Sequence, residues 1–468
     1  MANNNNIYLV GIKGVGMTSL ATYLKQRGKN VWGSDVSEVF PTDRILQKAG
    51  ITVLAGFEPK NITDDIDLVI TTGAHGGLQN IEVQTARDQK IPVMTQAEEV
   101  GHIMAAYKTS ISVCGTHGKT TTSSMVAYVL RQLRLSSSHI VGAPDFSGML
   151  GGEYAGLDYF VAEADEYVNS PGIDNTARFM FQHPTHLICT NIEHDHPDIY
   201  PSLASIETTF GAFFQQCNQD GGLIVYNGDE KNLTNIAQKY PRGVSFGFSP
   251  GLDLVLSQPV QHDESHFYAS YKGQDLGEFT LAIPGMHNII NAGAVITFCA
   301  VNGLKMEHVK EALSQFTGAR RRFEKIFELK GIYLFDDYAH HPTELKALLE
   351  AAKLRFPQQK IILIFQPHTY SRTSRFFNEF VDALALSNQT FILDIFGSAR
   401  EKENDDVSSK QLAIEAVRKG MSNVQYLAQE DFENTIKLCM QSGNVIITAG
   451  AGDVYQYHPV IIKLIESI

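Results

Sequence analysis

Apolar residues in this chain fall into short runs separated by stretches of helical periodicity. IYLVGI (7–12) has the pattern of a buried strand, and Met17, Leu20, Ala21 and Leu24 then share one helical face. VWGSD (31–35), LVITTGA (68–74) and IPVMT (91–95) continue the strand series. This alternation predicts a small parallel α/β unit ending near Tyr107.

A second unit starts at SISVCG (110–115), with Met125, Val126, Val129, Leu130 and Leu133 marking the helix that follows. YFVAEAD (159–165) and HLICTNI (186–192) read as further strands. Residues 253–283 are short strands broken by Gly and Asp, which predicts an antiparallel patch. A helical stretch from Asn288 to about Leu313 closes the unit. From Gly331 the alternation restarts with IYLFDD, KIILIFQP, FILDIF, VQYLA and VIITAG, a doubly wound pattern. The expected fold is therefore α/β in three domains: a Rossmann-like unit over 1–107, a central mixed-sheet unit over 108–325 and a C-terminal doubly wound unit over 326–468.

Several strand ends carry chemistry. GTHGKTTT (115–122) joins a strand to a helix; its glycines let the backbone wrap a phosphate and Lys119 can reach the outer oxygens. Thr120 sits where a hydroxyl ligates Mg²⁺. The loop is short, because Gly115 precedes Gly118-Lys119 by only Thr116 and His117. EADE (163–166) and NIEHDH (191–196) end two further strands of the same unit. Carboxylates and a histidine at that edge suit a divalent cation held against a triphosphate.

GIKGVGM (11–17) is a glycine turn able to present backbone N–H groups to a pyrophosphate, and Asp35 ends the next strand, where a ribose contact falls. Its G-x-x-G-x-G spacing is not that of nicotinamide or flavin sites. GARRRFE (318–324) places three arginines at the seam between the second and third units, a pattern that neutralises phosphoryl groups. DDYAHHPTE (336–344) ends a strand with two carboxylates; its adjacent histidines face different ways, which argues against zinc. FQPHTYSRT (365–373) adds His368 and Arg372, and TAGAGD (448–453) is a further glycine turn.

Composition narrows the class. The 468 residues are 43% hydrophobic and 19% charged, with a net charge of −13, which argues against non-specific binding to nucleic acid. Five scattered cysteines without metal spacing read as reduced thiols of a cytoplasmic protein. The N-terminus shows no signal-peptide pattern, and no apolar run is long enough for membrane insertion.

Taken in order over essentially the whole chain, GIKGVGM, GSD, GTHGKTTT, EADE, TNIEHDHPD, GMHNIINA, GARRRFE, DDYAHHPTE, FQPHTYSRT, DIFGSARE and GAGD resemble the Mur ligases of peptidoglycan synthesis. The short GTHGKT loop is similar to that family's own form. The resemblance implies a UDP-binding first domain, a P-loop-type ATPase central domain that also takes Mg²⁺, and a third domain for the incoming amino acid. It implies an acyl-phosphate mechanism, a cytoplasmic location, and a monomer or homodimer. DDYAHHPTE and FQPHTYSRT are similar to the branch that adds L-alanine to UDP-N-acetylmuramate. FPTD (40–43) and EADEY are similar to the recycling branch that attaches L-Ala-γ-D-Glu-diaminopimelate. A non-catalytic nucleotide-sugar sensor is the rival of a different class.

By the same resemblance, Gly14, Gly16, Met17, Ser34, Asp35, Thr72 and His75 bind the UDP-sugar. Gly115, Thr116, Gly118, Lys119, Thr120, Thr121, His287, Asn288, Asn291, Arg322 and Asp337 bind ATP. Thr120, Glu163 and His196 hold metal, and Tyr338, His340, His368 and Arg372 surround the amino acid. Lys119, Glu163, His196, Arg322 and Asp337 form the catalytic set.

Overall fold

Isoleucine, tyrosine, leucine and valine alternate onto both faces of Asn6–Val10, and all four are buried, as a central strand of a parallel sheet requires. The structure, a computed structural model, describes residues 5–397, 406–441 and 443–467. Ser398, Ala399, Arg400 and Glu401 of the DIFGSARE stretch lie outside the described residues.

The first sheet runs Thr52–Ala55, Asn30–Asp35, Asn6–Val10, Leu68–Thr71, Val93–Thr95, all parallel. Its order reverses between Asn6–Val10 and Leu68–Thr71, so a crevice opens where the Gly11 turn meets Thr72.

The second sheet has ten strands. In its parallel part Thr109–Cys114 lies between His186–Cys189 and Tyr159–Glu163. The phosphate-type loop, Glu163 and the NIEHDH turn therefore leave the sheet side by side at its C-terminal edge. Leu254–Gln261, Ser265–Tyr271 and Gln274–Leu281 form the expected antiparallel patch. The Lys119–Gln132 and Met286–Val301 helices pack over this sheet and share its largest core cluster.

In the third sheet Ile332–Asp337, Asn444–Ala449, Lys360–Phe365, Gln389–Ile392 and Val424–Tyr426 are parallel in that spatial order. Glu324–Leu329 pairs antiparallel along one edge.

Three departures from the sequence pattern have physical reasons. Thr52–Ala55 is a half-exposed edge strand between Gly50 and Gly56, so it lacks a buried-strand signal. The Ser137–Phe146 and Met149–Glu153 hairpin is interrupted by five Gly or Pro residues and reads as loop. Gly151 and Gly152 are needed there because the Ser19 helix turn of the first unit packs directly on them. The expected single helix from Asn288 is two helices, Met286–Val301 and Met306–Ser314, parted at Gly303.

Candidate active site

The buried strand Thr109–Cys114 ends in Gly115, at φ +136°, and Gly118, at φ +81°, caps the Lys119–Gln132 helix. Both angles favour glycine. A side chain at Gly118 would also meet Asn291 Oδ1 at 2.7 Å. Lys119 is turned back into this loop. Its ammonium donates to Gly115 O at 2.7 Å, Thr116 O at 3.2 Å and Glu166 Oε2 at 2.9 Å. Burial works against the Lys119 charge, but Glu166, Asp165 and Glu163 raise its pKa above the ordinary lysine value. Burial likewise works to raise Glu166, and Lys119 with His196 outweighs it, holding the carboxyl down to about 2.

Glu163 lies beside the loop. Its Oε1 accepts the Thr120 hydroxyl at 3.0 Å and its Oε2 accepts the Gly142 N–H at 2.8 Å. Burial and neighbouring Asp165 push its carboxyl up to about 7, against Lys119. His196, at φ +52°, points Nε2 to within 3.5 Å of Glu166 and 3.7 Å of Asp195.

Thr120 Oγ1 and Glu163 Oε1 are spaced as adjacent ligands of an octahedral ion with ~2.1 Å bonds, about 3 Å apart. A hydroxyl and a carboxylate so placed fit a hard divalent cation, and His196 stands apart from them against Glu166 and Asp195. His117, Glu193 and His341 also bring donor atoms within 4.8 Å of one another. That group is an ion-pair network instead, because both His117 nitrogens face carboxylates and a protonated ring has no lone pair to give.

Between the central and third units lies a cleft of about 740 Å³. Gly118, Thr121, Asn291, His287 and Asn288 form its central-unit wall, and Arg322, Asp337 and Glu344 form the other. Burial pushes Asp337 up to about 6 against Arg322 and two backbone N–H donors, Phe323 and Ala339. His287 is pushed down to about 4 by burial and Arg322, so it is a neutral ring. Tyr338, His340 and His368 adjoin one another, with ring centroids 5.3 Å and 6.0 Å apart.

Three of the expected site residues are buried or already paired. Met17 is a core residue, packed with Leu20 and Leu24, because the helix turns it away from the crevice. Ser34 is fully buried and its hydroxyl donates to Glu82, so it offers no side-chain contact to a ligand. Arg372 is 3% exposed, and its guanidinium is taken up by Asp195, at 2.8 and 3.2 Å, and by His368. It joins the third unit to the central one. Asp35 braces the glycine turn by accepting Lys13 N–H at 2.7 Å, with His75 Nε2 3.5 Å away. Gly14 caps the Val15–Gln26 helix, Gly16 lies in its first turn, and Thr72 faces Gly11.

Sequence reasoning left Glu166, His117, Glu193, Asp195 and Glu344 without a role. Each stands inside a motif singled out above, but its partner lies on another element or another unit, so spacing carries no signal for it.

Family models match the chain in order. The Mur ligase family, catalytic domain covers residues 6–108, the Mur ligase middle domain 113–299, and the Mur ligase, glutamate ligase domain 321–452. The chain is similar to a UDP-N-acetylmuramate–L-alanine ligase of Desulfitobacterium hafniense, 36% identical over 455 residues, which are 96% of this chain and 98% of that one. Its structure is similar to the UDP-N-acetylmuramate-alanine ligase of Thermotoga maritima, with a TM-score of 0.82 at 28% identity over 99% of both chains. A murein peptide ligase of Psychrobacter arcticus shares the fold, with a TM-score of 0.74 at 22% identity over 99% of both chains.

Proposed function

The chain belongs to the Mur ligase family, and on that premise we infer that it joins L-alanine to the lactyl carboxylate of UDP-N-acetylmuramate with hydrolysis of ATP. The observation that carries the chemistry is one cleft shared by the phosphate loop, the adenine-type residues and the Arg322–Asp337 wall. The amine follows from the relatives, whose names specify alanine.

A carboxylate is anionic and resists attack by an amine. Transfer of the γ-phosphoryl group from ATP gives an acyl phosphate and ADP. The amine of L-alanine then adds to that carbonyl, phosphate leaves, and an amide remains. Most of the acceleration comes from alignment, since effective molarities reach ~10⁵ M or more.

In this reading Lys119 exchanges Glu166 for the outer phosphates of ATP. Glu166 thus keeps the ammonium charged and aimed until nucleotide arrives. Arg322 neutralises the equatorial oxygens from across the seam. His287, Asn288 and Asn291 receive the base and ribose, and neutral His287 suits an uncharged purine. Asp337 lies opposite them. Thr120 and Glu163 hold one Mg²⁺ and His196 a second; bound Mg²⁺ draws charge from the phosphate oxygens. Gly14, Gly16, Thr72 and His75 contact the UDP end, and Tyr338, His340 and His368 receive the amino acid. We divide the domains at 107/108 and near 325, with the third sheet's edge strand beginning at Glu324.

The test is phosphate release. With ATP, Mg²⁺, UDP-N-acetylmuramate and L-alanine, release is expected only when all are present. Absence of release in every combination sinks the ligase reading and favours a sensor. Release with the tripeptide but not with alanine replaces the amine.

A further inference from the structure

Glu344 carries two separate sets of contacts. Through Oε2 it accepts the backbone N–H groups of His340, at 3.0 Å, and His341, at 3.2 Å, completing the capping box of the Pro342–Arg355 helix. Through Oε1 it faces the other way, across the seam. That oxygen is 3.2 Å from His117 Nδ1 in the phosphate loop and 4.0 Å from Arg322 Nη1. A cap needs only the first set.

His117 is itself fixed from several sides. Its Nε2 is 3.2 Å from Glu193, its N–H donates to Asn191 Oδ1 at 2.8 Å, and its carbonyl accepts from Thr190 and Asn191. A ring with a carboxylate at each nitrogen donates from both, so it is an imidazolium. Burial opposes that charge, and Glu193 with Glu344 outweighs it, raising the ring to about 9. Glu193 also accepts the Thr343 hydroxyl at 2.8 Å, so the same helix start meets the central unit twice.

We propose that Glu344 is a positioning residue for phosphoryl transfer, tying His117 of the phosphate loop to Arg322 of the seam so that both face one nucleotide. The proposal rests on the ligase reading above. It explains why this acidic residue is buried although helix-capping glutamates need not be. It also makes the loop geometry depend on the third unit being seated: with the seam open, His117 loses Glu344.

The alternative is a cap alone, and Glu344→Gln separates the two. A glutamine carbonyl still accepts both backbone N–H groups. Its amide NH₂ then faces His117 and Arg322, donor against donor. In the full-length enzyme, Glu344→Gln is expected to keep its UDP-N-acetylmuramate affinity and to lose kcat by on the order of 10²-fold. His117→Gln, which leaves the cap untouched, is expected to reproduce that loss, and the double variant to be no worse than either single. A kcat for Glu344→Gln within about twofold of wild type, or losses that multiply in the double variant, overturns the proposal. If wild type does not turn over with L-alanine, the ligase reading fails separately. ADP affinity then still tests the tether: about tenfold weaker binding in both single variants supports it, and unchanged binding overturns it.

Discussion

Lys119→Ala is expected to lower turnover by on the order of 10³-fold or more while UDP-N-acetylmuramate binding stays within about threefold of wild type. Among the described residues the ammonium is the lysine donor held between Gly115, Thr116 and Glu166. The crevice proposed for the nucleotide sugar lies on a different sheet, which is why binding is expected to be spared. A second consequence separates catalysis from folding. Removing Lys119 leaves Glu166, 2% exposed, with only His196 Nε2 at 3.5 Å to offset its buried charge, a loss of up to about 3–5 kcal/mol. Lys119→Ala with Glu166→Gln should therefore recover stability in a denaturant titration without recovering turnover. Recovery of both would remove Lys119 from the chemistry. Loss of sugar binding in the single variant would mean that the two sites are not independent.

Arg372→Ala should be the most damaging change outside the phosphate loop. The Arg372–Asp195 pair is bidentate, and its side chains are 3% and 4% exposed. Asp195 is held well below the usual carboxylate range: burial opposes this, and Arg372 with His196 outweighs it. Without the guanidinium, Asp195 is stranded in the seam at a loss of about 3–5 kcal/mol. Opening the seam lets water reach Asp195, so the loss appears as separation of the units before global unfolding. Small-angle scattering should show a larger radius of gyration for Arg372→Ala, with turnover reduced alongside. Arg372→Leu with Asp195→Leu should restore part of the compaction, since apolar pairs of similar volume replace buried ion pairs at little loss. An unchanged radius of gyration and unchanged turnover in Arg372→Ala would show that the pair does not hold the units together.

The parts of the site legible in the sequence share one property: they lie at the C-terminal ends of parallel strands. Apolar runs ending in GTHGKT, EADE and NIEHDH must emerge together once their strands are neighbours, as Thr109–Cys114 is with both others. The seam was legible only as a cluster of arginines. Of these, Arg320 pairs with Asp145 and Arg321 with Asp336; Arg320 and Arg322 both line the cleft, and Arg322 faces Glu344. What stayed hidden depends on long-range pairing. Arg372 and Asp195 are 177 positions apart, and His117 and Glu344 are 227 apart. Residue type alone pointed Arg372 to the substrate and gave no sign of its pairing with a carboxylate on another unit. The burial of Met17 and Ser34 was hidden for a local reason. Both adjoin the glycine turn in sequence, but the helix and strand directions there point them into the core. The Gly-rich hairpin at 137–153 was hidden because its glycines answer to the packing of Ser19 from the first unit, a constraint invisible at short range.

The central claim, ATP-dependent joining of L-alanine through an acyl phosphate, is tested most directly by isotope transfer. UDP-N-acetylmuramate carrying ¹⁸O in its lactyl carboxylate is incubated with the enzyme, ATP, Mg²⁺ and L-alanine, and the products are read by mass spectrometry. The account predicts UDP-N-acetylmuramoyl-L-alanine and an equal amount of phosphate bearing one ¹⁸O, because the carboxylate oxygen that takes the phosphoryl group leaves with it. Unlabelled phosphate, or an amide product that forms only with the tripeptide, would contradict it.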